Sequence, residues 1–423
     1  LFSASCKKDL DQLPTNIATS ESLEDFDGVL NAAYYYQLGS VTPLGVMGDF
    51  RADNALMFEE PYPSFDRFND DLVVMEDQFF EPYYIALYRS ILSANSVIAN
   101  SSEPTDVGEA LFLRALSYFK LVKVFGDVTV NLDPQNLELD LTRQPASSVY
   151  NDVIIPDLEA AILRLDNSNI SNGRASQLAA EGLLGKVYMQ MGEPVNAEVH
   201  LGNVVTDAEG AGVSLLANFD DIFGEDTDLN DEIIFATRRS VSITDEYGFT
   251  GFSGWYIGND SKAFAPLDTN LRDAFDAAGD VIRKGLTIDE ESLVSVKYES
   301  ENPDQDWIEL RYADIVLLYA EALNENGASA EMVLDLLDPI RVRAGLDVLD
   351  HTVLNTQELV RDAILDERRL ELAFEGQRWF DLVRTGTVNE EMGEVIDPVY
   401  HLFPVPTSEI LASDDVIIQN AGY

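Results

Sequence analysis

Apolar residues recur at three- and four-residue steps through most of the chain, the signature of helices that bury one face. The clearest stripe follows Ser22, where Leu23, Phe26, Val29, Leu30, Ala33 and Tyr34 share a face and the serine stands at the capping position. The same period predicts helices over about 75–100, 107–125, 149–165, 175–191, 195–206, 308–326, 330–344 and 356–384. Alternating strand patterning is confined to Val128–Val130, Glu232–Thr237 and Leu293–Tyr298. From 207 to 306 the helical period fades, and Gly, Asp, Ser and aromatic residues take over. That texture predicts a long insertion of loops and short strands, and long ordered loops tend to carry function. A mainly α, low-strand fold is expected.

One stretch repeats a known helix-pair pattern. Leu184-Gly185-Lys186-Val187-Tyr188 matches the L-G-x-x-Y core of a tetratricopeptide helix, with Ala197 and Leu201 at the matching places of a second helix. Gly192 and Pro194 supply the turn. Such a pair needs small residues where the helices touch and large ones in the wedge, roles that fit Gly185 and Ala197, then Tyr188 and Leu201. The leading Trp of the motif is replaced by Glu181. A looser pair follows at Ala320, Leu323, Gly327 and Leu336, so the helices are expected to stack as tetratricopeptide-like pairs.

Charge then narrows the partners. The 423 residues hold 27 Lys and Arg against 76 Asp and Glu, a net charge of −49. Such a field repels phosphate backbones, so no nucleic-acid partner is expected, and uronic acids, sulfated glycans and anionic headgroups are disfavoured too. With 46% apolar residues the chain has ample core. The one cysteine, Cys6, permits neither an intramolecular disulfide nor a cysteine-based zinc site. His200, His351 and His401 show no metal-ligand spacing, and no Walker A loop, G-x-G-x-x-G or G-x-S-x-G occurs. Asp226, Asp228 and Asn230 imitate the start of a calcium loop, but Asp231 replaces its glycine and Thr237 its last glutamate. No cofactor and no metal are expected, and no apolar run approaches the roughly 20 residues that span a bilayer.

The start reads as an address. Leu1-Phe2-Ser3-Ala4-Ser5-Cys6 puts small residues before a lone cysteine, as at the end of a bacterial lipoprotein signal, with Cys6 the residue to be acylated. Residues 1–20 are then signal remnant and tether, and lipid alone would hold the protein on a membrane.

Further blocks carry a family resemblance. Arg114-Ala115-Leu116-Ser117-Tyr118-Phe119 with Phe125-Gly126-Asp127-Val128 resembles the "RA-x-x-Y-F … Y-G-D-V-P" helix of SusD/RagB-like proteins, with Thr129 for its proline. The run 311–322, RYADIVLLYAEA, is similar to the family's "RYADVLLLYAEA" helix, and Ile340–Leu346 to its "IR-x-RAGL" turn. The run 367–384, ERRLELAFEGQRWFDLVR, is nearly its whole "ERR-x-ELAFEGQRWFDLVR" block, and 402–406 with 419–423 resembles its "LFPIP … QNPGY" ending. The resemblance implies a SusD-like fold over 21–423, with a helical scaffold over 21–206 and 307–423 and the insertion at 207–306. It also implies a cell-surface, outer-membrane lipoprotein that binds oligosaccharide without cleaving it and lids a SusC-like TonB-dependent transporter. An oligopeptide cargo on the same fold is the alternative.

Sugar capture needs flat apolar faces for pyranose rings and planar polar groups for hydroxyls. Gly251–Asp260 offers Phe252, Trp255, Tyr256 and Asn259 among glycines, with no helix face to explain them. Trp255 and Tyr256 are adjacent, so in extended backbone one of them stacks. The stretch 49–70 adds Asp49, Arg51, Asn54, Tyr62 and Phe65, and the family's ligand loops fall in about these two stretches. Phe79 or Tyr83 is a further ligand-facing candidate, whereas Trp307 and Trp379 are expected in the core. Glu367, Glu371 and Glu375 lie at four-residue steps beside Arg368, Arg378 and Arg384, and are expected to tie helices together rather than to form a glycosidase pair. A neutral glycan is the expected cargo.

Overall fold

A computed structural model describes residues 26–57, 62–66, 68, 72–136, 138–224, 228–240, 269–291, 294–298 and 305–423. Cys6 and the Gly251–Asp260 cluster lie outside these residues.

The scaffold is built from helices whose ends are written in the sequence. In chain order the main ones are α1 (Asp27–Gln37), α2 (Glu81–Asn100), α3 (Pro104–Phe125), α4 (Ile155–Ile162), α5 (Gln177–Met191) and α6 (Pro194–Asp207). They continue with α7 (Thr269–Ala278), α8 (Val281–Thr287), α9 (Tyr312–Glu325), α10 (Ala330–Arg343), α11 (Gln357–Glu371) and α12 (Arg378–Thr385). Ser176, Ser329 and Thr356 cap α5, α10 and α11 by accepting from a backbone N–H in the first turn. Pro104 and Pro194 open α3 and α6, where a missing N–H costs nothing. Gly192 ends α5 in the left-handed conformation, φ 72°.

Short strands form three two-stranded antiparallel ribbons. These are β1 (Val128–Thr129) with β2 (Arg143–Gln144), β3 (Ile233–Thr237) with β6 (Trp307–Arg311), and β4 (Ile288–Asp289) with β5 (Val294–Ser295). The β3–β6 register pairs Ile233 with Arg311 and Thr237 with Trp307.

The α5–α6 pair has the expected packing. A Cβ on Gly185 would stand 2.5 Å from the side chain of Leu201, so only glycine lets the two helices come this close. Ala197 and Leu201 are fully buried. Tyr188 fills the wedge from its half-buried position: it packs against the core and stacks on His200 of α6, with ring centroids 5.6 Å apart. The second pair, α9 with α10, turns at Gly327 with φ 82°.

Three expectations are corrected. Residues 307–311 are a strand, not the start of a helix, because all are buried and all but Glu309 pair with β3. Among its described residues the insertion holds the helices α7 and α8, with Asp280 capping the latter. The stretch 356–384 breaks after Glu371, where Phe374 (φ 63°) and Gly376 (φ 68°) turn the chain. Trp307 and Trp379 are core residues, at 1% and 0% exposure.

Candidate functional site

Of the two stretches expected to hold ligand, the structure describes part of 49–70 and none of 251–260. Asp49, Arg51, Asn54, Tyr62 and Phe65 are all buried, and internal partners occupy their polar groups. The Asp49 carboxylate accepts from the backbone N–H of Gly376 at 2.8 Å, of Phe374 at 3.2 Å, and from Asn54 Nδ2 at 3.3 Å. It clamps the turn after α11, and burial raises its pKa to about 6. A Cβ on Gly48 would overlap the backbone of Gly376, so the two segments touch main chain to main chain.

Arg51 donates to the Phe65 carbonyl and to Tyr423 Oη at 3.3 Å. Its guanidinium lies 4.2 Å from the ring centroid of Phe68 and 4.9 Å from that of Phe65. Burial lowers its pKa to about 10. Tyr62 donates to Gln78 Oε1 at 3.0 Å, and Phe65 stacks on Phe403. Phe79 and Tyr83, at 1% and 0% exposure, are core too. The expectation that these side chains face a ligand is corrected: they are buried and bonded or packed within the fold. Sequence alone could not show this for Asp49 and Arg51, because partners such as Gly376, 327 positions after Asp49, and Tyr423, 372 after Arg51, are far along the chain.

The carboxylates that invite a catalytic reading are likewise committed. Arg311 reaches Glu375 at 2.7 Å, Glu371 at 2.7 Å and Glu232 at 3.0 Å. Arg283 binds Asp280, Glu367 and Glu371, Arg343 binds Glu232 and Glu371, Lys297 binds Glu375, and Arg341 binds Glu367. Five cations thus meet five carboxylates. Around α12 a second network sets Lys186, Arg368 and Arg384 against Asp314, Glu321 and Asp381, and a third sets Arg369 and Arg378 against Asp53 and Glu391. Each network balances, so the net charge of −49 belongs to the rest of the chain. Burial pushes the Glu371 carboxyl up, but Arg343, Arg311 and Arg283 outweigh it and hold it well below the usual range. A general acid needs the opposite shift.

The base of the insertion carries one group poised near neutrality. Asp306 accepts from the backbone N–H of Arg239 at 2.8 Å and pairs with Arg238, while its own N–H donates to Asp228 Oδ1 at 3.0 Å. Burial raises the Asp306 carboxyl to about 7. Next to it, Trp307 stacks on Tyr298, ring centroids 6.1 Å apart, and Tyr298 donates to the Phe374 carbonyl at 3.0 Å. Asp228 and Asn230, read against a calcium loop, serve backbone N–H groups of Asp306 and Glu232.

A cavity of about 340 Å³ opens between α2 and the β1–β2 ribbon. Tyr84, Tyr88 and Tyr118 wall it with Leu92, Leu139 and Leu141, and it is not foreseeable from the chain alone, where the aromatic run reads as core. Tyr88 donates to the Thr129 carbonyl and Asn95 Nδ2 to the Asn131 carbonyl, so these polar groups serve the fold. No helix among the described residues is long and apolar enough to cross a membrane.

Known proteins share this arrangement. The family described as "SusD family" matches residues 272–399, and that described as "Starch-binding associating with outer membrane" matches residues 6–189. The chain is similar to SusD-like protein P38 of Formosa agariphila, 27% identical over 92% of this chain and 90% of that one. Among solved structures it resembles a SusD superfamily protein of Parabacteroides distasonis, TM-score 0.80 at 21% identity over 96% of this chain and 100% of the other. It also resembles a laminarin-binding SusD-like protein, TM-score 0.76 at 25% identity over 94% of this chain and 99% of the other.

Proposed function

Because the chain belongs to the SusD family, we propose that it is a glycan-binding protein of the outer membrane, one that captures oligosaccharide and does not cleave it. The observation that carries this reading is the full-length likeness to a laminarin-binding SusD-like protein. The committed state of the acids in the 367–384 block agrees with it, since each is held as a carboxylate by arginine or lysine.

Recognition is assigned to the insertion, with Trp255 or Tyr256 as the stacking ring, Phe252 beside it and Asn259 for hydroxyls. A flat aromatic loses little freedom on binding and matches the C–H face of a pyranose. The cargo is a neutral glycan. With the buried networks neutral, a net charge of −49 acts on whatever approaches, and that field disfavours a polyanion. Lipid on Cys6 anchors the chain, and a SusC-like TonB-dependent barrel receives the cargo beneath it as beneath a lid.

Affinity electrophoresis in gels cast with laminarin, and separately with a uronate-rich polysaccharide, tests this. Retardation by the neutral gel alone is expected, with no new reducing ends after incubation. Retention by the polyanion, or release of reducing ends, overturns the reading.

A further inference from the structure

The histidines show no ligand spacing along the chain, yet the fold brings one of them to two carboxylates. Asp335 and Asp338 stand one turn apart on α10, and the loop that follows returns His351 to them. One donor atom from each of the three lies within 4.8 Å of the others. The geometry points to a site for a divalent transition-metal ion, with zinc the best fit.

The contact between His351 and Asp338 carries the argument. His351 Nε2 lies 3.6 Å from Asp338 Oδ2, beyond hydrogen-bond range. That nitrogen is shielded from solvent and makes no hydrogen bond. The shielding is of that atom alone, since the His351 side chain as a whole is 28% exposed, and its nitrogen faces the Asp338 carboxylate at a spacing that a shared ion fills better than a direct hydrogen bond. Two donors bound tetrahedrally to one zinc ion at about 2.0–2.1 Å are about 3.4 Å apart. The observed spacing is close to that, and small rotations of exposed Asp335 bring in the third donor.

The surroundings hold the donors in place. Asp338 Oδ1 accepts from the backbone N–H of Leu349 at 3.2 Å, which fixes that carboxylate and leaves Oδ2 toward His351. Asp350 accepts from Thr352 N at 2.9 Å and Oγ1 at 2.6 Å, shaping the loop on either side of His351. An imidazole with two carboxylates suits zinc and its neighbours rather than calcium or magnesium, which prefer all-oxygen sets. Water would complete the shell. The ion would staple the 346–354 loop to α10.

The test is zinc titration of chelator-treated full-length protein by calorimetry, with millimolar calcium present to saturate the many surface carboxylates. One zinc per chain is expected. Affinity should fall more than about tenfold in His351→Ala and in Asp335→Asn, while the metal-free variants melt with the wild-type protein. Absence of a single tight site overturns the inference. So does equal zinc binding in the variants, which would mark diffuse binding to surface acids.

Discussion

Two regions of this molecule hold helices together by opposite means. The α5–α6 pair relies on shape: Gly185 admits Leu201, and Ala197 and Leu201 are fully buried with no charge between them. The block from α11 to α12 relies on ions. Glu371, wholly buried, is shared by Arg283, Arg311 and Arg343. Apolar packing is indifferent to pH, whereas a buried ion network stands only while every member is present and charged. The difference teaches that motif-rich charge need not be chemistry. Here it is scaffold, and the surface left for recognition is correspondingly negative.

The comparison breaks most sharply at Glu371. Glu371→Gln leaves three buried cations short of a counter-charge, and a loss of about 3–5 kcal/mol is expected in urea unfolding. A loss below about 1 kcal/mol would show that the network is dispensable. Gly185→Ala attacks the other region. A Cβ there meets the Leu201 side chain, and overpacking of this kind costs about 1–3 kcal/mol. That loss should be the same at pH 3 and pH 8, whereas the Glu371→Gln penalty should be constant above about pH 4.5 and shrink below it, where the unfolded carboxylate protonates and the folded one, held well below the usual range, does not.

A smaller effect sharpens the contrast through pH. Burial raises the folded Asp306 carboxyl from its ordinary 3.8 to about 7. Between those values the folded state holds the extra proton, so this group makes stability fall as pH rises through the window. Asp306→Asn should remove that slope from the melting curve between pH 4 and pH 7. An unchanged slope would show that Asp306 is ionised throughout.

Much of this was legible in the sequence because it is local. Periodicity located the helices, and Gly192 and Pro194 marked the α5–α6 turn. The family blocks, too, are read residue by residue. What was hidden depends on distant partners. The polar cluster Asp49, Arg51 and Asn54 looks like a ligand loop until Gly376 and Phe68 are placed against it. The strand at 307–311 looks like a helix entry because burial on both faces erases its alternation. The break near Phe374 needs a left-handed residue that no glycine announces at that position. Asp335, Asp338 and His351 meet only once a loop has folded back.

The central claim is that recognition resides on aromatic side chains of the insertion while the charged block only supports them. Calorimetric titration of Trp255→Ala with a neutral β-glucan oligosaccharide, beside its melting temperature, tests this most directly. The account predicts binding reduced more than about tenfold, the scale of one lost stacking contact, with the melting temperature unchanged. Undiminished affinity in a folded Trp255→Ala, and in Tyr256→Ala beside it, would contradict it.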